Sequence, residues 1–295
     1  MKYRFSALLL ALVLGLWPVA DGRGSDLSEL VFSGADAHYR GDLQTAAADF
    51  EAALRLSPDN AFARNQLGLV YAKQQQWTRA MAQFRQVAQM DRDNTFARLW
   101  IGILHLQSGN LAEARAAFET VLAIDPDNAD ACYFLGTLHY IDRDPAEAIR
   151  FLKRARDADS QEPETHYRLA RAFDNVDMID NARLEYLRTL ALKPTHTGAL
   201  NDLGWLQYNR GLTQEAIALW KETLRINPKD RDAVLNLARV YNEQAFAAIR
   251  AGDAGAAVAL WQKTLAVHPT DKAAAYYLSK YSKNGKGLQT PTRPE

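Results

Sequence analysis

The chain has 295 residues, with 35 lysines plus arginines against 35 aspartates plus glutamates, 48% hydrophobic residues and one cysteine. That length supports a large core without metal or disulfide staples, and one cysteine cannot form an internal bridge. The charge balance excludes the basic excess with which nucleic-acid binders displace counterions from phosphate, so no nucleic-acid partner is expected.

The first twenty residues read MKYRFSALLLALVLGLWPVA, with Lys2 and Arg4 ahead of an apolar run from Phe5 to Trp17 broken only by Ser6 and Gly15. This run falls short of the roughly 20 residues that cross a bilayer, so residues 1–22 are expected to be a secretory signal cut near Ala20 or Gly22. The alternative is an anchor in the inner membrane through residues 5–20. Either fate exports the rest of the chain, to the periplasm or beyond, and confines membrane contact to this segment.

From there on the sequence repeats every 34 residues. Small residues recur at Gly34, Gly68, Gly102, Gly136, Ala170, Gly204 and Ala238, and a second small column runs through Ala46, Ala80, Ala114, Ala148, Ala182 and Ala216. Two helices cross closely only where neither presents more than a methyl group, so each repeat is expected to be a helical hairpin. Four residues after each alanine comes a bulky residue, Phe50, Phe84, Phe118, Leu152, Tyr186 or Trp220, placed to plug into the next hairpin. Pro58, Pro126, Pro194 and Pro228 separate repeats, and Gly41, Gly109 and Gly211 mark left-handed turns inside them. At Arg143 and Asp177 that glycine is missing, and Asp144–Pro145 supplies a helix cap and first turn.

These columns together resemble the tetratricopeptide repeat (TPR), in frames 27–60, 61–94, 95–128, 129–162, 163–196, 197–230 and 231–271. The resemblance implies an all-α solenoid, a right-handed superhelix of antiparallel helix pairs whose first helices line a concave groove. The chain departs from the family pattern at Ser33, where leucine is usual, and at Arg92 and Ser160, where proline is usual. In the seventh repeat the later columns reappear seven residues late, at Ala257, Trp261 and Pro269. Seven residues are about two helical turns, so its first helix is expected to be lengthened, from about Asp232 to Arg250. Residues 272–283 are expected to form a capping helix, and residues 284–295, NGKGLQTPTRPE, a disordered tail.

Catalytic signatures are missing: there is no GxSxG, HExxH, GxxxxGK[ST] or CxxC. Accordingly no catalytic residue, cofactor or metal is expected and the chain is not read as an enzyme. Cys132 stands at a core position, and His105 and His139 share the column of Tyr71 and Tyr241, which favours packing over a metal pair.

The resemblance directs attention to the inner face of the first helices. Phe62, Asn65, Phe96, Tyr133 and Tyr140 fall there in the middle repeats, with Leu69, Leu99 and Ile103 as neighbours that could equally pack between helices. In later repeats the positions carry Tyr167, Arg171, Asp174, Asn175, Asn201, Trp205, Tyr208, Asn209, Arg239 and Asn242. Aromatic anchors beside amide and guanidinium groups suit a protein or peptide segment, the amides bonding its main chain. Phe246 and Ile249 form a second candidate contact, or pack on Tyr276 and Tyr277. The expectation is a non-enzymatic scaffold or adaptor of the cell envelope, assembling a complex by holding a partner segment. One alternative is a carbohydrate-handling scaffold of an exopolysaccharide machine, since sugars stack on aromatic rings; another is self-association.

Overall fold

The computed structural model describes residues 22–283, so residues 1–21 of the expected signal and the tail at 284–295 lie outside the described residues. The described residues form fifteen helices and no strand. They divide into two compact units on either side of the Leu135–Gly136 bond, residues 22–135 and 136–283. In the first, α1 (Gly22–Arg40) pairs with α2 (Leu43–Leu56), α3 (Ala61–Lys73) with α4 (Trp77–Met90), and α5 (Thr95–Gln107) with α6 (Leu111–Ile124). The division falls within α7 (Ala129–Ile141). In the second, α8 (Pro145–Ala158) precedes the pairs α9 (Pro163–Asp174) with α10 (Ile179–Leu192), α11 (Thr197–Asn209) with α12 (Thr213–Ile226), and α13 (Arg231–Arg250) with α14 (Ala254–Val267). The final helix α15 (Lys272–Lys283) packs on α14. No described helix is long and apolar enough to cross a membrane.

The small and bulky columns meet inside each hairpin. A Cβ built on Gly68 would lie 2.7 Å from Phe84, one on Gly102 2.5 Å from Phe118, and one on Gly204 2.6 Å from Trp220. The bulky residue therefore lies across the first helix of its own repeat, where only hydrogen leaves room. This contact within the hairpin comes in addition to the expected one with the following hairpin. Its other side does reach the next repeat: Phe84 stacks on Trp100 at 5.6 Å and Phe118 on Phe134 at 4.9 Å. Each ring thus joins three helices, and Phe50, Phe84, Phe118, Tyr186, Trp220 and Trp261 are all fully buried.

Helix starts obey one rule the sequence reading did not single out. The last residue of most frames caps the following helix: Asn60, Asn94, Asn128 and Asp230 accept the backbone N–H three residues on at 2.9–3.0 Å, whereas Glu162 accepts the N–H only two residues on, at 3.3 Å. His196 does the same through Nδ1, accepting from Ala199 at 3.1 Å, while its Nε2 lies 3.3 Å from Glu164. A side chain six residues on meets the junction carbonyl with or without proline: Arg64 donates to the Pro58 carbonyl, Arg98 to the Arg92 carbonyl at 2.8 Å, and His166 Nε2 lies 3.1 Å from the Ser160 carbonyl. Ser33, the other departure, donates to Asp49 at 2.6 Å. The left-handed turn is kept even without glycine. Arg143 and Asp177 have φ of 59° and 57°, as does Gln75 at 60°, beside Gly41, Gly109, Gly211 and Gly252.

The lengthened helix α13 spans 20 residues, against 13 for α11, about 10 Å more at 1.5 Å per residue. Phe246 on its extra turns meets Tyr277 edge-on at 4.9 Å and Trp261 at 5.8 Å. Phe246 and Ile249 therefore belong to the terminal core with Trp261, Tyr277 and Tyr281, and not to a second contact surface. Tyr276 stays exposed. Cys132 is buried, and His139 stacks on Phe151 at 5.4 Å, 3.4 Å from Asp144.

One buried ionic cluster stands out in the second unit. Glu185, 2% exposed, lies 2.6 Å from His166 Nδ1, 2.7 Å from Arg188 and 3.2 Å from Arg156. The hydrogen bond to Glu185 raises His166 above its ordinary 6.5, against the opposing effect of burial. For Glu185, burial works upward, but the bond from His166 and the charges of Arg188, His166 and Arg156 hold it below its ordinary 4.5.

Two stability predictions follow from these contacts. Gly102→Ala forces Phe118 out of its seat, an overpacking cost of about 1–3 kcal/mol set against about 1 kcal/mol of gained helix propensity, so thermal melting should fall by a few degrees. The His166–Glu185 contribution is present above the ordinary glutamate range and below the ordinary histidine range. It is lost as pH rises through the elevated His166 pKa, or falls through the depressed Glu185 pKa. The melting difference between native chain and His166→Gln should accordingly be largest between pH 4.5 and 6.5 and shrink on the alkaline side.

Candidate functional site

In the second unit the first helices α9, α11 and α13 carry a polar and aromatic row at repeat-equivalent positions. Arg171, Trp205 and Arg239 are 34 residues apart and form its spine. The Arg239 guanidinium lies over the Trp205 ring at 5.1 Å, and Trp205 meets Tyr208 at 5.6 Å. Tyr208 donates to Glu243, and this bond, with burial adding to it, raises the Tyr208 hydroxyl pKa. Arg171 lies over Tyr140 at 5.5 Å and over Tyr167 at 5.8 Å, with its Nε 3.7 Å from Asp202. Tyr167 donates to Asp202 at 3.0 Å. Gly198 makes this possible, since a Cβ there would lie 2.8 Å from the Tyr167 hydroxyl. Arginines seated on aromatic faces keep their N–H groups directed outward, where a carboxylate or carbonyl can receive them.

The remaining polar residues of the row differ in exposure. Asn175 and Asn209 are exposed at the ends of their helices, and Asn175 serves as the C-cap of α9. Asn242 donates to Asp271 at 3.3 Å and accepts from Thr264 at 3.3 Å, so it ties α13 to the helix after it. Asn201 is 8% exposed and donates to Asp230 at 2.9 Å, leaving its carbonyl oxygen buried without a hydrogen-bond partner. It acts chiefly in joining helices, and its side chain is not an open groove contact.

Within the first unit the row is drier than the sequence suggests. Phe62 is exposed, and Asn65 is half-buried with its carbonyl oxygen lacking a partner. Phe96 is half-buried against Phe84 and Trp100 at 6.3 and 6.4 Å. Tyr133 is 8% exposed and packs edge-on against Phe134 at 5.3 Å, which makes it a core residue where a partly wet one was expected. Leu69 and Leu99 are buried as well.

Two residues overlooked by sequence reasoning belong to the site. Asp202 sits one turn before Trp205 on α11. Tyr186 occupies the bulky column, where Phe50, Phe84, Phe118, Leu152, Trp220 and Trp261 carry no hydroxyl. Its ring is fully buried 6.2 Å from that of Tyr167, and its hydroxyl has no hydrogen-bond partner. The signal was available, since a lone hydroxyl in an otherwise apolar column is a departure in kind.

A separate cleft of about 630 Å³ is lined by Arg156, Asp157, Ser160, Gln161, His166, Arg188, Ala191 and Leu192. Its cations are already drawn inward to Glu185. No group of histidine, cysteine and carboxylate side chains suited to a metal occurs among the described residues.

The structure of Pseudomonas aeruginosa pilF is similar at 17% identity and a TM-score of 0.65, over 72% of this chain and 97% of that one. The C-terminal part of a TPR repeat-containing protein from Cytophaga hutchinsonii is similar at 16% identity and 0.64, over 85% and 99%. YrrB, described as a TPR protein with an unusual peptide-binding site, is similar at 21% identity and 0.52, over 64% and 97%. These likenesses carry the fold alone. No curated protein matches the sequence. Family models described as tetratricopeptide repeat match residues 101–163, 167–231, 201–245 and 63–90, and one described as TPR repeat matches 34–75. TPR proteins bind protein or peptide partners on a scaffold that is typically non-catalytic. With its stacked hairpins and with those matches over more than half of its length, the chain belongs to the tetratricopeptide repeat family.

Proposed function

We propose that this chain is a non-enzymatic scaffold that holds an extended segment of a partner protein on the first-helix face of its second unit. The observation that carries the reading is Trp205, a half-buried ring under the exposed Arg239 guanidinium at 5.1 Å and beside Tyr208. Aromatic and arginine side chains of this kind dominate protein interfaces because they desolvate well and lose little freedom on contact. The description of YrrB as a TPR protein with an unusual peptide-binding site supports this reading. The apolar run from Phe5 to Trp17 supports a place in the cell envelope, with assembly of an envelope complex as the task. A glycan-handling role is less well supported, since the guanidinium over Trp205 takes the place where a sugar ring would stack.

The test is selection of a random dodecapeptide library on the full chain. Trp205→Ala with Tyr208→Ala should weaken the selected peptides at least tenfold, while circular dichroism is unchanged. Because both rings also support the neighbouring core, the exposed Arg239→Glu is the control, and it should weaken the same peptides without lowering the melting temperature. Peptides bound equally by all three chains would refute the assignment.

A further inference from the structure

We infer that the outward face of α10 is a docking seam for one helix of a partner protein, apolar along its centre and acidic along both edges. This face is distinct from the first-helix row, and the seam does not depend on what that row binds.

The repeat itself exposes the anomaly. At the position of Leu187 the other second helices carry Glu51, Arg85, Glu119, Lys153, Lys221 and, after the seven-residue shift, Gln262; at the position of Leu184 they carry alanine or Arg150. Two solvent-facing columns that are polar or small in every other repeat thus turn large and apolar together in α10. Leu184 is 47% exposed and Leu187 41%. Among the described residues the other second helices expose large apolar side chains only at their terminal residues, Leu56, Met90 and Leu111.

Leu184, Leu187 and Ala191 follow one another at spacings of three and four, so they share one line along the helix, and Ala191 is exposed too. In a seam between two helices such positions meet the partner, while Arg183 and Arg188 occupy the flanking places whose charge selects it. Both arginines are exposed. Arg188 donates to the buried Glu185 through one terminal nitrogen at 2.7 Å, which leaves its Nε and its second terminal nitrogen for another acceptor.

The charge pattern chooses the occupant. A second copy of α10 would set arginine against arginine in either orientation, because parallel helices oppose the two flanks to each other and antiparallel helices oppose each flank to itself. An anionic bilayer would have to take up Asp180, which lies on the same line one turn before Leu184. A helix with leucines on its contact line and glutamates beside them answers the two leucines and both guanidinium groups, and it can end short of Asp180 or bring a donor to it. The line from Asp180 to Ala191 is about 16 Å long, three turns of such a helix.

The test is fluorescence anisotropy of a stapled three-heptad peptide on the full chain, with leucine at both seam positions of each heptad and glutamate in the flanks. The peptide should bind, and its counterpart with lysine in the flanks should bind at least tenfold more weakly. Leu187→Glu, which installs the residue found in that column at Glu51 and Glu119, should weaken the acidic peptide at least tenfold at an unchanged melting temperature. Arg183→Glu should weaken the acidic peptide and strengthen the lysine one. Trp205→Ala with Tyr208→Ala should leave the acidic peptide bound as tightly as before. Loss of binding in that double variant would move the peptide to the first-helix row, and equal binding of the two peptides would remove the charge match; either overturns the seam. So would no binding at all, a dimer in light scattering that Leu187→Glu dissolves, or capture by phosphatidylglycerol vesicles that Leu187→Glu releases.

Discussion

The fold depends on one contact repeated along the chain: a large flat side chain of a second helix laid against a residue with no side chain, or a methyl, on the first. At Gly68, Gly102 and Gly204 the space for even one carbon is already taken by Phe84, Phe118 and Trp220. The close approach brings the two helices of a hairpin together, and the opposite side of the same ring continues to the next hairpin, as Phe84 does with Trp100. A single hairpin could bury only one side of that ring. Stacking therefore follows from the chemistry of one column, and the hydrophobic gain is shared between neighbours.

This dependence also explains where polar chemistry can appear. The second helices contribute the ring layer, and what the first helices turn away from it is free to vary. In the first unit that freedom is spent on Leu69, Leu99 and Tyr133, all of them buried. In the second unit Arg171, Trp205 and Arg239 stand in the column of Leu69 and remain partly or fully accessible, whereas the column of Leu99 and Tyr133 continues through the half-buried Tyr167 to the buried Asn201. Tyr186 carries a polar group into the ring layer, its ring in the packing and its hydroxyl buried without a hydrogen-bond partner.

Much of this was legible in the sequence, and the reasons are physical. The small column is visible because steric exclusion tolerates so few residue types, and the seven-residue insertion because it displaces every later column together. The sequence-derived helix from Asp232 to Arg250 differs from the observed one by a single residue. The groove was less legible. Exposure of Tyr133 or Asn201 depends on how neighbouring first helices converge, which periodicity does not encode, and both are buried. Pairings such as Tyr167 with Asp202 join residues 35 apart, so only the register of one repeat on the next reveals them.

The placement of the helix caps has an evolutionary consequence. Asn60, Asn94, Asn128, His196 and Asp230 each close a frame while satisfying an amide that belongs to the next. A duplication or loss of one whole 34-residue block would thus leave every newly adjoining helix with its starting amide already provided for. Arrays of this design can change length in complete steps by recombination, whereas a break elsewhere in the period would strand a donor at the junction.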